Sequence, residues 1–150
     1  MRRIILLVLA VAGFAFLALQ VIPYGRAHAN PAVVSEPQWD SPRTRELAVR
    51  ACFDCHSNET VWPWYSNVAP VSWVVQHHTE EGRGVLNFSR ADQTQRGARE
   101  AAEQVQNGEM PPPYYTLLHP DSRLTADEQA ELIKGLQATL GQGKRGAGRP

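Results

Sequence analysis

Cysteine and methionine are nearly absent from this chain, which has two of each among its 150 residues. An excess of charge is absent too, because 15 basic residues balance 15 acidic ones. A neutral chain gives no electrostatic reason to expect binding to nucleic acid or to an anionic membrane surface. The sequence also has no Ser-His-Asp set, phosphate-binding loop or separated pair of carboxylates, so nothing in it supports hydrolytic or phosphoryl-transfer chemistry.

The two cysteines stand together in Cys52-Phe53-Asp54-Cys55-His56. The pattern C-x-x-C-H is typical of covalent haem attachment. Two thiols one helical turn apart can each add to a vinyl group of one haem, and the adjacent imidazole can then bind the iron from the proximal side. The motif therefore predicts one haem c, attached through Cys52 and Cys55, with His56 as an iron ligand.

Two other uses of paired cysteines compete with this interpretation. A thioredoxin-like redox pair expects a strand–helix–strand context, which the sequence does not indicate. A structural zinc site needs four Cys or His ligands, so His77, His78 or His119 would have to complete it. We expect His77 and His78 on a solvated helix face, because a polar run follows them, and His119 in a turn before Pro120.

Met110 is the only methionine besides the initiator, and it begins the run Met110-Pro111-Pro112-Pro113. Ligation of haem iron by Met and His raises the reduction potential into the range of electron-transfer proteins. Consecutive prolines restrict the backbone, so a stiff loop could hold the flexible side chain against iron at little entropic cost. The sequence therefore predicts Met110 as the second iron ligand. The competing interpretation is a Pro-rich turn in which Met fills a gap.

Further segments accompany these two motifs. They are His56-Ser57-Asn58-Glu59-Thr60, Trp62-Pro63-Trp64-Tyr65-Ser66, Ala69-Pro70-Val71-Ser72-Trp73, Gly82-Arg83, Leu86-Asn87-Phe88-Ser89 and Gly108-Glu109-Met110-Pro111-Pro112. With them, about residues 40 to 140 resemble the small bacterial family known as the haem-binding domain, which is cytochrome c-like. The resemblance implies thioether attachment at Cys52 and Cys55 and iron ligation by His56 and Met110.

The N-terminus carries an apolar run from Ile4 to Ile22, preceded by Arg2 and Arg3. Such a run is long enough to span a bilayer as a helix, and flanking arginines favour a cytoplasmic N-terminus. We expect a retained single-pass anchor in the bacterial inner membrane, with the haem domain facing the periplasm. The alternative is a cleaved signal, because residues 27–29 have the small-x-small form of a cleavage site, which would leave a soluble periplasmic protein.

The rest of the chain divides by composition. We expect an anchor or signal over residues 1–25, a linker over 26–40, a haem-binding domain over 41–140 and a disordered tail over 141–150. Stretches with Pro and Ser and no sustained period read as linkers, and the tail is rich in Gly, Lys and Arg.

The domain is predicted to be all-α, because no segment alternates with period two as strands do. Ser41 and Pro42 suit the start of a first helix that runs to Cys52. A second helix is expected from Pro70, and a third over residues 92–107, with Gly108 as its stop. Residues 125–128 form a capping box for a last helix with Ala130, Ile133, Leu136 and Leu140 on one face. In cytochrome c-like folds the first and last helices pack together beside one covalent haem.

Large side chains and prolines suggest the haem surroundings. We expect the wall of the haem site from Trp62, Trp64, Trp73, Phe53 and Phe88, and contacts to the haem propionates from indole N–H groups, Arg83 or Asn87. A ligating imidazole usually donates its other N–H to an acceptor of the protein. In cytochrome c-like proteins that acceptor is commonly a carbonyl in a proline-containing loop, which favours the region of Pro70 over that of Pro63.

Two functions remain open. The first is single-electron transfer at the outer face of the inner membrane, with an unidentified redox partner protein. The second is a peroxidase-like enzyme or a gas or redox sensor, which requires that Met110 leave the iron. The pattern favours an electron-transfer protein over an enzyme.

Overall fold

The computed structural model describes residues 1–141. Helices make up 60% of the described residues, and no strand occurs among them, so the all-α prediction is confirmed. The helices are α1 (Arg2–Leu19), α2 (Pro42–Ala51), α3 (Phe53–His56), α4 (Val71–Val85), α5 (Ala101–Gln106), α6 (Pro113–Leu118) and α7 (Ala126–Leu140). Short 3-10 helices cover Trp64–Asn67, Arg96–Arg99 and Pro120–Ser122.

The described residues divide into two compact units. The first unit consists of Met1–Ala29 and Val61–Glu80. Its helix α1 has no buried residue, and it is long and apolar enough to cross a membrane or to serve as a signal sequence. The side chain of Gln20, just beyond α1, bonds to the backbone of Ala69 within this unit.

The second unit comprises residues 30–60 and 81–141 and contains the hydrophobic core. The core consists of Leu47, Ala48, Phe53, Leu86, Phe88, Ala102, Val105, Leu132 and Leu136. Phe53 and Phe88 stack with ring centroids 5.5 Å apart, and Trp39 lies 5.1 Å from Phe88. Of the five aromatics expected around the haem, these two phenylalanines are core residues, whereas Trp64 is 79% exposed. The sequence analysis did not identify Trp39.

The first and last helices of this unit pack together. The start of α2 is as predicted, because the Ser41 side chain accepts from the Thr44 amide and Pro42 opens the helix. A Cβ at Gly135 of α7 would overlap the Thr44 side chain, so glycine lets the two helices approach closely. The predicted capping box at Thr125 and Glu128 is present.

Two predictions about helices need correction. The third helix was expected over residues 92–107, but only Arg96–Arg99 and Ala101–Gln106 are helical. Residues 90–95 form a turn in which the Gln95 side chain bonds to the Arg90 carbonyl and the Asn87 amide, and these bonds compete with helix formation. On α7 the predicted face is right for Leu136, which is buried, and for Ile133 and Leu140, which pack against the core. It is wrong for Ala130, which is exposed, and it missed the buried Leu132 and Gly135.

The expected linker over residues 26–40 makes defined contacts in its second half. The amides of Val34 and Ser35 donate to the Ser89 carbonyl, and the Ala91 amide donates to the Ser35 carbonyl. Glu36 accepts from both Arg45 and Trp39. The extent of the linker stays a prediction. The predicted tail lies outside the described residues, except for Gly141 at the end of α7.

Candidate haem site

The two cysteines lie on one turn that follows α2. The Cys52 amide donates to the Ala48 carbonyl at 2.8 Å, and the Cys52 carbonyl accepts from the amides of Cys55 and His56 at 3.2 and 2.9 Å. Both cysteines are free thiols and partly buried. Two reduced thiols and one imidazole thus occupy five consecutive residues.

Burial keeps both cysteines in the thiol form. It raises the pKa of Cys52 to about 12, with a further contribution from Cys55. It also raises the pKa of Cys55 to about 11, with a further contribution from the Asp54 carboxylate. The thiolate is the form that binds metal and exchanges disulfides. A reactive redox pair has a lowered thiol pKa, and the raised pKa values of Cys52 and Cys55 run against that use.

The imidazole of His56 is held by the C-terminal end of α4. Its Nδ1 lies 3.1 Å from the Gly82 carbonyl oxygen and 2.9 Å from that of Leu86. Because carbonyl oxygens only accept, Nδ1 carries the proton and the lone pair lies on Nε2. Burial lowers the pKa of His56, while the two carbonyls oppose the shift.

The prediction that a carbonyl near Pro70 or Pro63 would accept from His56 is therefore wrong. The last turn of a helix offers carbonyls without partners in the helix and the negative end of the helix dipole. At the end of α4 the Gly82 carbonyl accepts from the Leu86 amide at 2.9 Å and also from His56 Nδ1, and the Leu86 carbonyl just beyond the helix is the second acceptor, so no proline loop is needed. Pro70 instead directly precedes α4, which agrees with the alternative that it starts a helix.

Gly82 allows this arrangement. A Cβ at residue 82 would overlap the carbonyl group of Cys55 and come within 3.1 Å of its Cβ. Only glycine lets the backbone of α4 pass so close to Cys52–His56, which we call the attachment turn because it carries the predicted attachment motif. The same approach brings the Gly82 carbonyl to His56 Nδ1. The Phe88 amide adds a bond of 2.8 Å to the His56 carbonyl.

The residues after His56 are also tied down. Arg83 donates from Nε to the Ser57 carbonyl at 2.7 Å, and from its terminal nitrogen to Asn30 and Thr60 at 2.9 Å each. Asn87 donates from Nδ2 to Asn58 at 2.9 Å. Arg83 and Asn87 thus have partners in the protein and brace the segment after the attachment turn. The prediction that they contact haem propionates stays a prediction.

Met110 lies in residues 108–112, which we call the Met110 segment and which are more exposed than the Cys52–His56 turn. Gly108 ends α5 with φ +73°, and the amides of Glu109 and Met110 both donate to the Gln104 carbonyl. Met110 is 36% exposed. It borders a cleft of about 300 Å³, together with Val105, Leu124 and others of this unit.

Helix α6 connects the Met110 segment to the attachment turn. Tyr115 donates from its hydroxyl to the Asp54 carboxylate at 2.6 Å. Its neighbour Tyr114 has a raised pKa, first through burial and then through Cys55 and Glu81, which indicates that its ring lies near Cys55. The structure thus brings α6, which begins three residues beyond Met110, into contact with Asp54 of the Cys52–His56 turn.

The other histidines expected as alternative ligands have ring contacts of their own. His77 is exposed, His78 is partly buried, and their rings lie 6.1 Å apart. His119 ends α6, where its ring stacks on Tyr115 at 4.1 Å, as expected for a turn residue. Within residues 1–141 no group of three or more His, Cys, Asp or Glu side chains is placed to hold a metal ion.

The sequence analysis overlooked three residues that position His56 and the Met110 segment. A glycine inside a helix costs about 1 kcal/mol relative to alanine, so Gly82 could have indicated a close backbone approach. Leu86 acts through its carbonyl, which the side chain does not reveal. Tyr115 showed no pairing signal, because its partner Asp54 lies 61 residues away.

The comparison with known proteins identifies a family. The sequence pattern described as the haem-binding domain matches residues 14–138, a range that includes the attachment turn and Met110. No curated protein and no solved structure matches the chain significantly.

Proposed function

We propose that this chain, which belongs to the haem-binding domain family, is a membrane-anchored monohaem protein of the c type that transfers single electrons. Family membership establishes haem binding. Covalent attachment at Cys52 and Cys55 and ligation of one iron by His56 and Met110 are our proposal. The boundary of the haem-binding domain at residues 41–140 belongs to the same proposal.

The observation that carries the proposal is the orientation of His56. Its Nδ1 donates to the carbonyls of Gly82 and Leu86, so the lone pair of Nε2 is available to iron. A ligating histidine usually has its other nitrogen fixed in this way. Two reduced thiols on the same turn complete the donor set that covalent attachment needs.

The donor set suits haem better than other groups. Neutral thiols can add across vinyl groups, an imidazole with a fixed tautomer binds iron from one side, and a thioether is a soft, uncharged ligand for the other side. The bound haem supplies the one-electron change of its iron. Around it, the chain fixes the imidazole, shields the thiols and holds the sulfur of Met110.

Location follows from the N-terminal helix. A helix that is long and apolar enough to span a membrane, with Arg2 and Arg3 in its first turn, favours export of everything that follows. We therefore place the haem at the outer face of the inner membrane. A cleaved signal would instead leave the haem domain soluble in the same compartment.

A second candidate function is peroxidase-like catalysis or sensing of a gas or of redox state. The partial exposure of Met110 beside a cleft favours it, because displacement of this ligand would admit a small molecule to the iron. No observation identifies a catalytic residue, so electron transfer remains the first proposal.

An absorption spectrum of the oxidised protein separates the two candidates. Electron transfer predicts a methionine-to-iron charge-transfer band and no spectral change with carbon monoxide or peroxide. A high-spin spectrum that shifts when these ligands are added would favour the enzyme or sensor.

A further inference from the structure

The chain that leaves α1 is fastened at once to residues 61–80. Gln20, the first residue after α1, donates from Nε2 to the Ala69 carbonyl at 2.9 Å and accepts from the Ala69 amide at 3.0 Å. One side chain thus occupies both backbone groups of residue 69. The backbone at Ala69 is therefore held at the C-terminal end of the apolar helix.

Three further contacts strengthen this attachment. The Tyr24 hydroxyl donates to Glu80 at 3.0 Å, and the His28 ring bonds to the Ser66 hydroxyl at 2.9 Å. Gly25, with φ +79°, lies so close to Ser72 that a Cβ would overlap the Ser72 carbonyl. Cleavage after Ala29 would remove every one of these partners, so the packing favours a retained N-terminus.

The same unit exposes large apolar side chains close to the helix end. Within residues 61–74, which we call the 61–74 segment, the exposed fractions are 74% for Val61, 79% for Trp64, 42% for Val71 and 50% for Val74. Apolar surface left in water is unfavourable in proportion to its area. Tryptophan and tyrosine are enriched where a protein meets the headgroup level of a bilayer.

We propose that α1 stays in the membrane and that the 61–74 segment lies in the lipid interface beside it. The 18 residues of α1 extend about 27 Å at 1.5 Å per residue, close to the thickness of a hydrocarbon core. Gln20 and Ala69 then lie where the chain leaves that core. The exposed apolar side chains meet acyl chains and headgroups instead of water. This proposal does not depend on how the iron is ligated.

Photolabelling from lipid tests the proposal. The full chain is placed in phosphatidylcholine nanodiscs that contain a lipid with a diazirine on an upper acyl carbon. It is then irradiated, digested and mapped by mass spectrometry. We expect labels in α1 and also in the 61–74 segment, and loss of both in detergent without the photolipid. Labels in α1 alone, or in neither region, overturn the proposal.

Two variants at one position sharpen the test. Trp64→Ser should lose labelling at the 61–74 segment while α1 keeps its labels, whereas Trp64→Leu, which stays apolar, should keep both. If a second copy of the chain covers the segment instead, lipid labels are absent there and cross-links join two chains through it. That result contradicts the proposal, as does equal labelling of the serine and leucine variants.

Discussion

The attachment turn and the Met110 segment belong to the same unit but are held very differently. At the turn, Phe53 is 3% exposed, Ser57 is fully buried, and both His56 Nδ1 and the His56 carbonyl have backbone partners. At the other segment, Met110 is 36% exposed. Its amide shares a single acceptor with that of Glu109.

The contrast indicates two different roles for the proposed ligands. The fold fixes the imidazole before any haem arrives, because the end of α4 supplies its acceptors. The backbone at Met110 follows the Gly108 turn and leads into helix α6. We therefore expect the histidine side to resist perturbation and the methionine side to respond to changes several residues away.

Gly82→Ala is expected to have the largest effect, because it perturbs the close approach of α4 to the Cys52–His56 turn. The added Cβ overlaps the Cys55 carbonyl, and overpacking of this kind costs about 1–3 kcal/mol. We expect a lower free energy of unfolding in denaturant and a lower yield of haem-loaded protein. Gly84→Ala is the matched control, since no atom lies within 4 Å of the added Cβ and the helix gains about 1 kcal/mol. Equal stability of the two variants would show that the close approach is unimportant.

Met110→Ala tests the proposed role of Met110 as an iron ligand. Loss of the thioether should lower the reduction potential and admit small ligands to the iron, while the unfolding free energy changes by less than about 1 kcal/mol because the side chain is partly exposed. Potentiometry and titration with carbon monoxide measure the two effects. Leu117→Ala, at an exposed site on α6, should change neither. An unchanged spectrum and potential in the Met110 variant would falsify the ligand assignment.

Tyr115→Phe tests whether α6 holds the Met110 segment near the turn. The variant loses the hydroxyl that donates to Asp54 at 2.6 Å, and a hydrogen bond to a charged group contributes about 1.5–3 kcal/mol. We expect a lower melting temperature and a smaller fraction of oxidised protein with the methionine charge-transfer band. Tyr114→Phe on the same helix keeps the bond to Asp54 and should keep the full band. If Tyr115→Phe keeps the same fraction of this band as Tyr114→Phe, α6 does not hold the Met110 segment near the turn.

The smallest expected effect is a loss of stability at low pH, which comes from the ion pair between Arg50 of α2 and Glu128 of α7. Hydrogen bonds from Arg50 hold the pKa of Glu128 at about 2, below its ordinary 4.5. The folded pKa is depressed, so the stabilisation is complete above pH 4.5 and is lost as the pH falls towards 2. Denaturant unfolding between pH 6 and pH 2 should show a steeper loss in the natural protein than in Glu128→Gln. Parallel curves would contradict this.

Local sequence signals predicted where helices start and how they are capped, but few of the contacts between residues that are far apart in the chain. Ser41, Pro42 and the Thr125–Glu128 box act within one turn of helix, so their roles could be read directly. The acceptors of His56 could not, because Leu86 and Gly82 both contribute backbone carbonyls, and their side chains do not reveal this. The prediction of one helix over residues 92–107 was wrong at its start. The composition there favours a helix, but the Gln95 side chain stabilises a turn through its bond to the Arg90 carbonyl. The haem ligands themselves stay predictions until they are measured.

Covalent attachment is the central claim, and the mass of the intact protein tests it most directly. The full chain is produced together with a cytochrome c maturation system, extracted with acidified acetone and weighed by mass spectrometry. We predict a single species heavier by one haem, which keeps its colour through extraction and loses it when Cys52 and Cys55 are both replaced by serine. A protein that carries haem but releases it to the solvent, at the mass of the bare chain, would contradict the account.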